Sequence, residues 1–266
     1  MKLHKWLCFA LLCLTFNTLQ SHQNTPRYER PPHVEEAVWN EMKPYFLPEG
    51  HRIKPLLDKI FSKRVTLNTQ TLYAAGFKTP EPQRYTHTVV TKHKKVDGYI
   101  FKLYTDDYLK PCDWQEFLFR LRGAQAVKRA IKRHHWEHLF KVPKKWIYPL
   151  PANPAPPAHL RRGNFVIVEQ DMNLASKKKN LAFYKKKITK EQLRALSILL
   201  NEEGLNDCVF PCNVPYCKDK KLAFVDTQVY YHWPLRFQLT RKFLSSKMQV
   251  YWDQITTNQP SNPLHY

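Results

Sequence analysis

One histidine cluster has residue types and a spacing that could support zinc chemistry. His134, Glu137 and His138 form an H-x-x-E-H pattern. On a helix, two histidines four residues apart share one face and can bind zinc, while the glutamate activates a water molecule for peptide hydrolysis. The nearest downstream carboxylates that could complete the site belong to Glu202 and Glu203. A zinc metallopeptidase is therefore one candidate function, and the alternative is a helix C-terminus whose histidines interact favourably with the helix dipole.

The cysteines form a second group of potential ligands. Beyond residue 21 they are Cys112, Cys208, Cys212 and Cys217. An even number of cysteines can pair in an oxidising compartment. The C-x3-C-x4-C spacing of the last three could also begin a zinc site, but no fourth ligand is evident. We predict at most one disulfide within 208–217 and no zinc.

Composition and charge limit the classes of function. The 266 residues are 43% hydrophobic and 24% charged, which is typical of a globular protein with one or two cores. Twenty prolines against six glycines exclude a collagen-like chain and make a glycine-rich phosphate loop difficult to build. The formal net charge of +21 favours an acidic protein or an anionic surface as partner, including peripheral contact with a membrane. Nucleic acid is not expected, because no recognition motif is present.

The N-terminus has the pattern of a secretory signal peptide. Lys2 and Lys5 precede an apolar run over residues 6–16, and Ser21 offers a small residue at a cleavage point. The run is short for a bilayer span, so a permanent membrane anchor is the weaker alternative. We predict cleavage near Ser21 and a mature protein that works in a periplasm, on a cell surface or outside the cell.

The rest of the chain predicts a mixture of helices and strands. Residues 22–59 predict a loosely packed N-terminal arm with one short helix around 34–42. β-Branched and aromatic residues cluster over 64–77 and 85–104, where Asp97-Gly98 predicts a hairpin turn and thus an antiparallel sheet. The later elements predicted are a helix from about 113 to 133, strands near 142–151 and 164–172, a helix opened by a Thr189–Gln192 capping box and ended by Gly204, a short strand at 221–226 and a final helix near 235–255.

Two basic surfaces accompany these elements. The helix from about 113 has an apolar face, and its basic residues predict a solvated surface that could at most dock anions. These residues are Arg120, Arg122, Lys128, Arg129, Lys132 and Arg133. Residues 177–187 form a second basic patch.

Three stretches, taken in chain order, carry a family resemblance. They are YIFKLY with Lys102, FVIVEQDM with Glu169 and Met172, and GLNDCVFPCNVPYCKDKKLAFVDTQ. Together with the order of the predicted elements, they resemble the third strand, the hinge, and the catalytic loop with its metal-binding strand of the protein kinase-like fold. The resemblance covers roughly residues 60–255.

The resemblance implies a role for each matched residue. Lys102 would hold the α- and β-phosphates of ATP, and the backbone of Glu169 to Met172 would meet the adenine ring. Asn213 and Asp226, thirteen residues apart, match the family's two Mg²⁺ ligands. Asp207 resembles the catalytic aspartate of the His-Asn-Asp or His-Gly-Asp loops of choline and aminoglycoside kinases. ATP and Mg²⁺ are the cofactors implied.

Several departures from the family pattern favour weak or absent catalysis. No G-x-G-x-x-G precedes Lys102, and Asp207 lies six residues before Asn213, where the family has five. About forty residues follow Asp226, which is short for a full helical lobe.

The sequence therefore predicts an α+β, kinase-like protein with a reduced C-terminal lobe. The predicted organisation is a signal peptide over 1–21, an arm over 22–59, a sheet-and-helix lobe over 60–172, a helical lobe over 173–256 and a tail over 257–266. Its expected function is that of a secreted pseudokinase with a binding role. An active phosphotransferase and a basic non-catalytic binding module remain alternatives.

Overall fold

The computed structural model describes residues 28–79, 82, 87–108 and 113–257, which form an α+β fold. The helices are α1 (Glu36–Met42), α2 (Lys54–Phe61), α3 (Thr69–Ala75), α4 (Asp113–Arg133), α5 (Lys177–Lys186), α6 (Lys190–Glu202), α7 (Gln238–Arg241) and α8 (Ser246–Thr256), with a 3₁₀ helix over Lys43–Tyr45. The strands are β1 (Phe77–Lys78), β2 (Val89–His93), β3 (Val96–Leu103), β4 (Phe140–Lys141), β5 (Lys145–Pro149), β6 (Phe165–Gln170) and β7 (Leu222–Ala223). The predicted α+β class is confirmed.

Five strands form an antiparallel sheet in the order β1-β2-β3-β6-β5, and β4 pairs with β7 in a small parallel sheet. The predicted hairpin exists, but its turn lies earlier than expected. His93 pairs with Val96, so Lys94 and Lys95 make the turn. Gly98 instead lies inside β3 with a φ of 80°, which glycine adopts without steric cost.

The two faces of the sheet pack against different helices, because side chains alternate along a strand. One face joins a core with α2 and α3; its buried residues include Phe101, Leu103, Val166 and Val168, with Leu57, Phe61 and Leu72 from the helices. The other face packs against α4 and α1; its buried residues include Tyr104, Ile147, Phe165 and Ile167, with Phe117, Leu121, Trp39 and Met42. Any polar side chain on the second face therefore points towards α4.

The prediction that the N-terminal arm is loosely packed is wrong for residues 36–59, which lie within the described part of that arm. Trp39, Met42 and Leu57 are buried in the two sheet cores, and the backbone N–H of Leu47 donates to the carbonyl of Ile147 at 2.8 Å. Burying one large apolar side chain contributes about 1.5–3 kcal/mol. Residues 36–61 are therefore an integral layer of the sheet-containing half.

The strand predicted from the composition of 64–77 is also wrong, because α3 occupies half of this segment and only Phe77 belongs to a strand. Asn68 begins α3 with a capping box: its side chain accepts from the N–H of Thr71, and the Thr71 hydroxyl accepts from the N–H of Asn68. Gly76 ends it with a φ of 102°. These end signals outweigh the β-propensity of the residues between them.

The C-terminal half is helical, and α4 joins it to the sheet. Val127 and Ile131 from the second half of α4 share a core with α6 and α8, whose buried residues include Leu193, Leu196, Leu200 and Trp252. The capping box predicted at Thr189 and Gln192 is confirmed.

The final helix is divided into α7 and α8 rather than continuous. Leu244 lies at the break and is fully buried. Its carbonyl accepts from the side chains of Lys185 at 2.7 Å and Gln249 at 3.2 Å. These bonds satisfy a backbone acceptor that a continuous helix would have paired internally.

The predicted signal peptide, Cys112 and most of the tail lie outside the described residues. None of the helices within the described ranges combines the length and hydrophobicity that a bilayer crossing requires.

Candidate functional site

A buried cluster of ion pairs lies on the face of the sheet that packs against α4. Lys145 on β5 lies directly opposite Glu169 on β6. Lys102 on β3 lies opposite Ile167, which precedes Glu169 by two residues and shares its face of the sheet. Oε2 of Glu169 is 2.9 Å from Nζ of Lys102 and 3.3 Å from Nζ of Lys145. The three side chains are 2–7% exposed. Cross-strand register therefore places one carboxylate between two ammonium groups.

Both lysines also tie the sheet to the segment that follows β7. Nζ of Lys102 and Nζ of Lys145 each donate to the carbonyl of Val225 at 2.9 Å. Burial lowers the pKa of Lys145, and the attraction of Glu169 opposes that shift. The carboxylate of Glu169 therefore offsets the desolvation cost of burying the two lysine ammonium groups.

The next residue, Asp226, faces Arg120 from α4. Oδ1 of Asp226 lies 3.7 Å from Nη1 of Arg120. Burial alone would raise the pKa of Asp226, but the charges of Arg120, Lys102 and Lys145 outweigh it and lower this pKa. Asp226 is therefore an ionised carboxylate at neutral pH.

Asn213 is held beside Asp226 by backbone contacts. The N–H of Val225 donates to the carbonyl of Asn213 at 3.0 Å, and Nδ2 of Asn213 donates to the carbonyl of Asp207 at 2.8 Å. The second bond orients the amide of Asn213, whose oxygen accepts from the thiol of Cys212 at 3.6 Å.

A close helix contact fixes α4 against this segment. Nη2 of Arg120 donates to Oε1 of Gln228 at 2.6 Å, and the hydroxyl of Thr227 donates to the carbonyl of Arg120 at 3.0 Å. Gly123 permits the approach, because a Cβ there would lie 2.0 Å from the carbonyl oxygen of Thr227. The position of Arg120 relative to Asp226 is therefore set by rigid packing.

These groups surround one cleft with a cavity volume of about 120 Å³. The structure brings five residues predicted from the sequence to its walls, namely Lys102, Glu169, Met172, Asn213 and Asp226. Arg120 is the further charged residue in the lining, and Val90, Ile100, Leu174, Cys212 and Val225 complete it. Charged and apolar side chains lie next to each other in this cleft, because Val90 pairs with Lys102 and Ile100 pairs with Glu169 in the sheet.

Two of the predicted residues differ in detail from their expected contacts. Glu169 enters the cleft with its carboxylate, whereas the resemblance assigned a role to its backbone. The carbonyl of Met172 already accepts from Nζ of Lys141 at 3.1 Å. Glu116, in the first turn of α4, accepts from the hydroxyl of Tyr104, and Lys102 pairs with Glu169.

Asp207 is not among the residues that line this cleft. Its Oδ2 accepts from the N–H of Val229 at 3.3 Å, and its Oδ1 is buried without a hydrogen-bond partner. Burial, and then the negative charge of Asp226, raise the pKa of Asp207 to about 6. Asp207 and Asp226 are thus two neighbouring carboxyl groups with pKa values displaced in opposite directions.

The helical context required by the H-x-x-E-H pattern is absent. Helix α4 ends at Arg133, so His134 and His138 do not share a helix face. Nε2 of His134 lies 2.8 Å from Glu202, and Nε2 of His138 lies 3.3 Å from Glu191. Across the part of the chain that the structure describes, no group of three or more histidine, cysteine or acidic side chains is arranged to hold a metal ion. The geometry gives no support to a zinc peptidase.

The cysteines of 208–217 are three free thiols. The thiol of Cys208 donates to the carbonyl of Asp226 at 2.9 Å, and Cys217 is buried elsewhere. The disulfide considered within this cluster is therefore not formed. Cys208 instead adds a contact between the Asp207 loop and Asp226.

Sequence reasoning missed the roles of Arg120 and Lys145. Arg120 was assigned to a solvated basic face, but it is 1% exposed. It lies three residues after Phe117 and four before Ala124, which places it on the buried side of α4. Lys145 lies two residues before the buried Ile147 on β5 and therefore shares its face of the sheet. Helical and strand periodicity were therefore signals that could have identified both.

The oxygen donors and the charges around Asp226 give opposite indications for Mg²⁺. Asn213 and Asp226 offer amide and carboxylate oxygens, which Mg²⁺ prefers, and Oδ1 of Asp226 has no hydrogen-bond partner. However, the guanidinium of Arg120 already faces that oxygen, and Lys102 and Lys145 add positive charge nearby. A divalent cation would be repelled by all three. The arrangement therefore does not fit a resident Mg²⁺.

Comparisons with protein-family models, curated proteins and solved structures find no match for this chain.

Proposed function

We propose that this chain is a secreted, kinase-like protein of weak or no phosphotransferase activity that binds a nucleotide in the cleft and acts mainly as a binding protein. The observation that carries the proposal is the cleft in which Lys102, paired with Glu169, meets Asn213 and Asp226. These residues come from β3, β6 and the segments before and after β7, and together they span more than a hundred residues of sequence. Their joint order along the chain is the one implied by the kinase resemblance.

The charges of the cleft favour a phosphate-bearing ligand. Lys102 and Arg120 lie in its wall, and Lys145 is buried behind Glu169. Ammonium and guanidinium groups in a poorly solvated site form strong charge-assisted hydrogen bonds with phosphate oxygens. The apolar side chains Val90, Ile100 and Leu174 offer a surface for a base ring.

The same geometry argues against efficient transfer. Phosphoryl transfer needs a phosphate cradle, neutralised charge and an oriented acceptor hydroxyl. Asp207, the candidate base, is not part of the cleft wall. The guanidinium of Arg120 already faces Asp226, the carboxylate that a metal ion would need. The sequence also has no glycine run before Lys102. Losing one group that acts on developing charge costs on the order of a hundredfold in rate.

Nucleotide binding and its dependence on Lys102 test this proposal. We expect ATP and ADP to bind measurably in isothermal titration calorimetry, and Lys102→Ala to weaken binding by at least about tenfold, since it removes a charged donor. Glu169 keeps Lys145 as a partner in that variant, so the fold has a compensating ion pair. Lys132→Ala, at an exposed position on α4, is the matched control and should bind as wild type.

Transfer is measured in the same preparation with labelled ATP. Autophosphorylation or small-molecule phosphorylation at ordinary kinase rates, lost in Asp207→Asn, would contradict the inactive part of the proposal and favour an active phosphotransferase. Absence of nucleotide binding in the wild-type protein would contradict the proposal as a whole.

A surface on α5 independently favours the alternative of a basic binding module. Its exposed residues are lysines with two apolar neighbours: Lys177, Lys178, Lys179, Leu181, Ala182, Lys185 and Lys186. None of these lysines has a carboxylate within 4 Å among the described residues. A lysine-rich helix face with exposed apolar side chains is typical of contact with anionic lipid surfaces.

We expect the protein to bind vesicles that contain phosphatidylserine and not vesicles of phosphatidylcholine alone. The triple variant Lys177→Gln, Lys178→Gln, Lys179→Gln should lower the partition coefficient by on the order of a hundredfold, at about 1 kcal/mol per lysine. The matched control replaces the exposed Lys128, Arg129 and Lys132 of α4 with glutamine. Equal losses in both triple variants would show that net charge, and not the α5 surface, drives association.

A further inference from the structure

Arg120 is a buried cation whose hydrogen-bonding capacity is only partly used. Its side chain is 2% exposed and lies in the wall of the cleft. One nitrogen donates to Gln228, and another lies 3.7 Å from Asp226, beyond hydrogen-bond distance. Nε has no hydrogen-bond partner. A buried guanidinium with an unused donor is costly unless a ligand satisfies it.

The surroundings hold Arg120 in this position. The carbonyl of Arg120 accepts from Thr227, and Gly123 packs directly against the Thr227 backbone. The guanidinium is therefore preorganised next to Asp226 before any ligand arrives. Preorganised charge binds an anion without a further ordering cost.

We propose that Arg120 ligates a phosphate group of the bound ligand directly and serves as the built-in cation of the cleft, so that binding does not require a divalent metal. This inference rests on the proposed nucleotide-binding function for the identity of the ligand, but not for the anion site itself. Asp226 then acts as the partner that orients Arg120, and not as a metal ligand.

Two consequences distinguish this arrangement from a metal-dependent one. Removing the guanidinium takes away the largest of the three positive charges that act on Asp226, so a divalent cation is repelled less there than in the wild-type protein. Removing the charge of Asp226 leaves Arg120 free to bind phosphate. A purely structural role for Arg120 predicts neither effect.

The test is a calorimetric titration with ATP, and separately with inorganic tripolyphosphate, in EDTA and in Mg²⁺. For the wild-type protein we expect dissociation constants in the two buffers that agree within about threefold. Arg120→Gln should weaken binding in EDTA by at least about tenfold, as loss of a charge-assisted donor predicts, and Mg²⁺ should restore part of it. Asp226→Asn should bind at least as tightly as wild type in EDTA. Arg122→Gln, on the same helix with a surface partner in Glu41, is the matched control.

Each result decides a different point. Wild-type binding that requires Mg²⁺, unchanged metal-free binding by Arg120→Gln, or loss of metal-free binding by Asp226→Asn would overturn the role of Arg120 and leave the proposed function standing. Metal-free binding of tripolyphosphate through Arg120 without binding of ATP would support the anion site and contradict the nucleotide function. Binding of neither probe would overturn both. If Arg120→Gln does not fold, the wild-type and Asp226→Asn titrations still decide the matter.

Discussion

Replacing Glu169 with glutamine is expected to lower the free energy of unfolding by about 3–5 kcal/mol, the cost of breaking a buried ion pair from one side. Oε2 of Glu169 lies 2.9 Å from Nζ of Lys102 and 3.3 Å from Nζ of Lys145, and all three side chains are nearly inaccessible to water. Glutamine has a similar shape but no charge, so two ammonium groups would stay buried without a carboxylate between them.

Chemical denaturation of the wild-type and Glu169→Gln proteins at pH 7 measures this cost. Glu191→Gln is the control, because Glu191 makes an exposed pair with His138 and such pairs contribute at most about 1 kcal/mol. The double variant Glu169→Gln, Lys145→Met should recover part of the loss, since it removes one of the two unpaired cations. A loss below about 1 kcal/mol in Glu169→Gln would show that this cluster is not held by its charges.

Replacing Asp207 with asparagine is expected to stabilise the protein at neutral pH by about 3 kcal/mol, as estimated from its pKa shift. The pKa of Asp207 rises from 3.8 to about 6, first because of burial and then because of Asp226. The folded state therefore holds this proton more tightly than the unfolded state does. The stabilisation from that proton is complete below about pH 4 and is lost as the pH rises through about 6.

The free energy of unfolding of wild type and Asp207→Asn, compared from pH 3.5 to 8, isolates this carboxyl group from the others that titrate in the same range. The two proteins should be equally stable near pH 3.5, and the variant should gain between pH 4 and 7. Asp97→Asn, at an exposed position in β3, should show no such divergence. A variant that is less stable than wild type at pH 7 would mean that the ionised Asp207 makes a stabilising contact.

The elements that local signals define were predictable from the sequence. The Thr189–Gln192 capping box, the short apolar runs of β5 and β6 and the apolar face of α4 each depend on neighbours within a few residues. The packing of residues 36–61 on the sheet was not predictable in the same way, because it depends on which distant strands need a cover. The division between α7 and α8 likewise depends on the tertiary bonds made by the carbonyl of Leu244.

The candidate site was likewise predictable only in part. The order and spacing of Lys102, Asn213 and Asp226 indicated residues that the structure places around one cleft. The partners of these side chains were harder to predict from the sequence, because the pairing of Lys145 with Glu169 depends on strand register. The inward direction of Arg120 follows from which face of α4 the sheet covers. Arg120 is one of several basic residues in α4, and composition alone does not show which of them is buried.

The central claim, that nucleotide phosphates lie against Lys102, is tested most directly by labelling with an acyl-phosphate derivative of ATP. Such a reagent acylates a lysine amine close to the terminal phosphate, and mass spectrometry of the digested protein identifies the lysine. The account predicts that Lys102 is labelled and that excess ADP protects it, while the exposed lysines of α5 react to the same extent with or without ADP. Labelling confined to surface lysines, or labelling of Lys102 that excess ADP does not reduce, would contradict it.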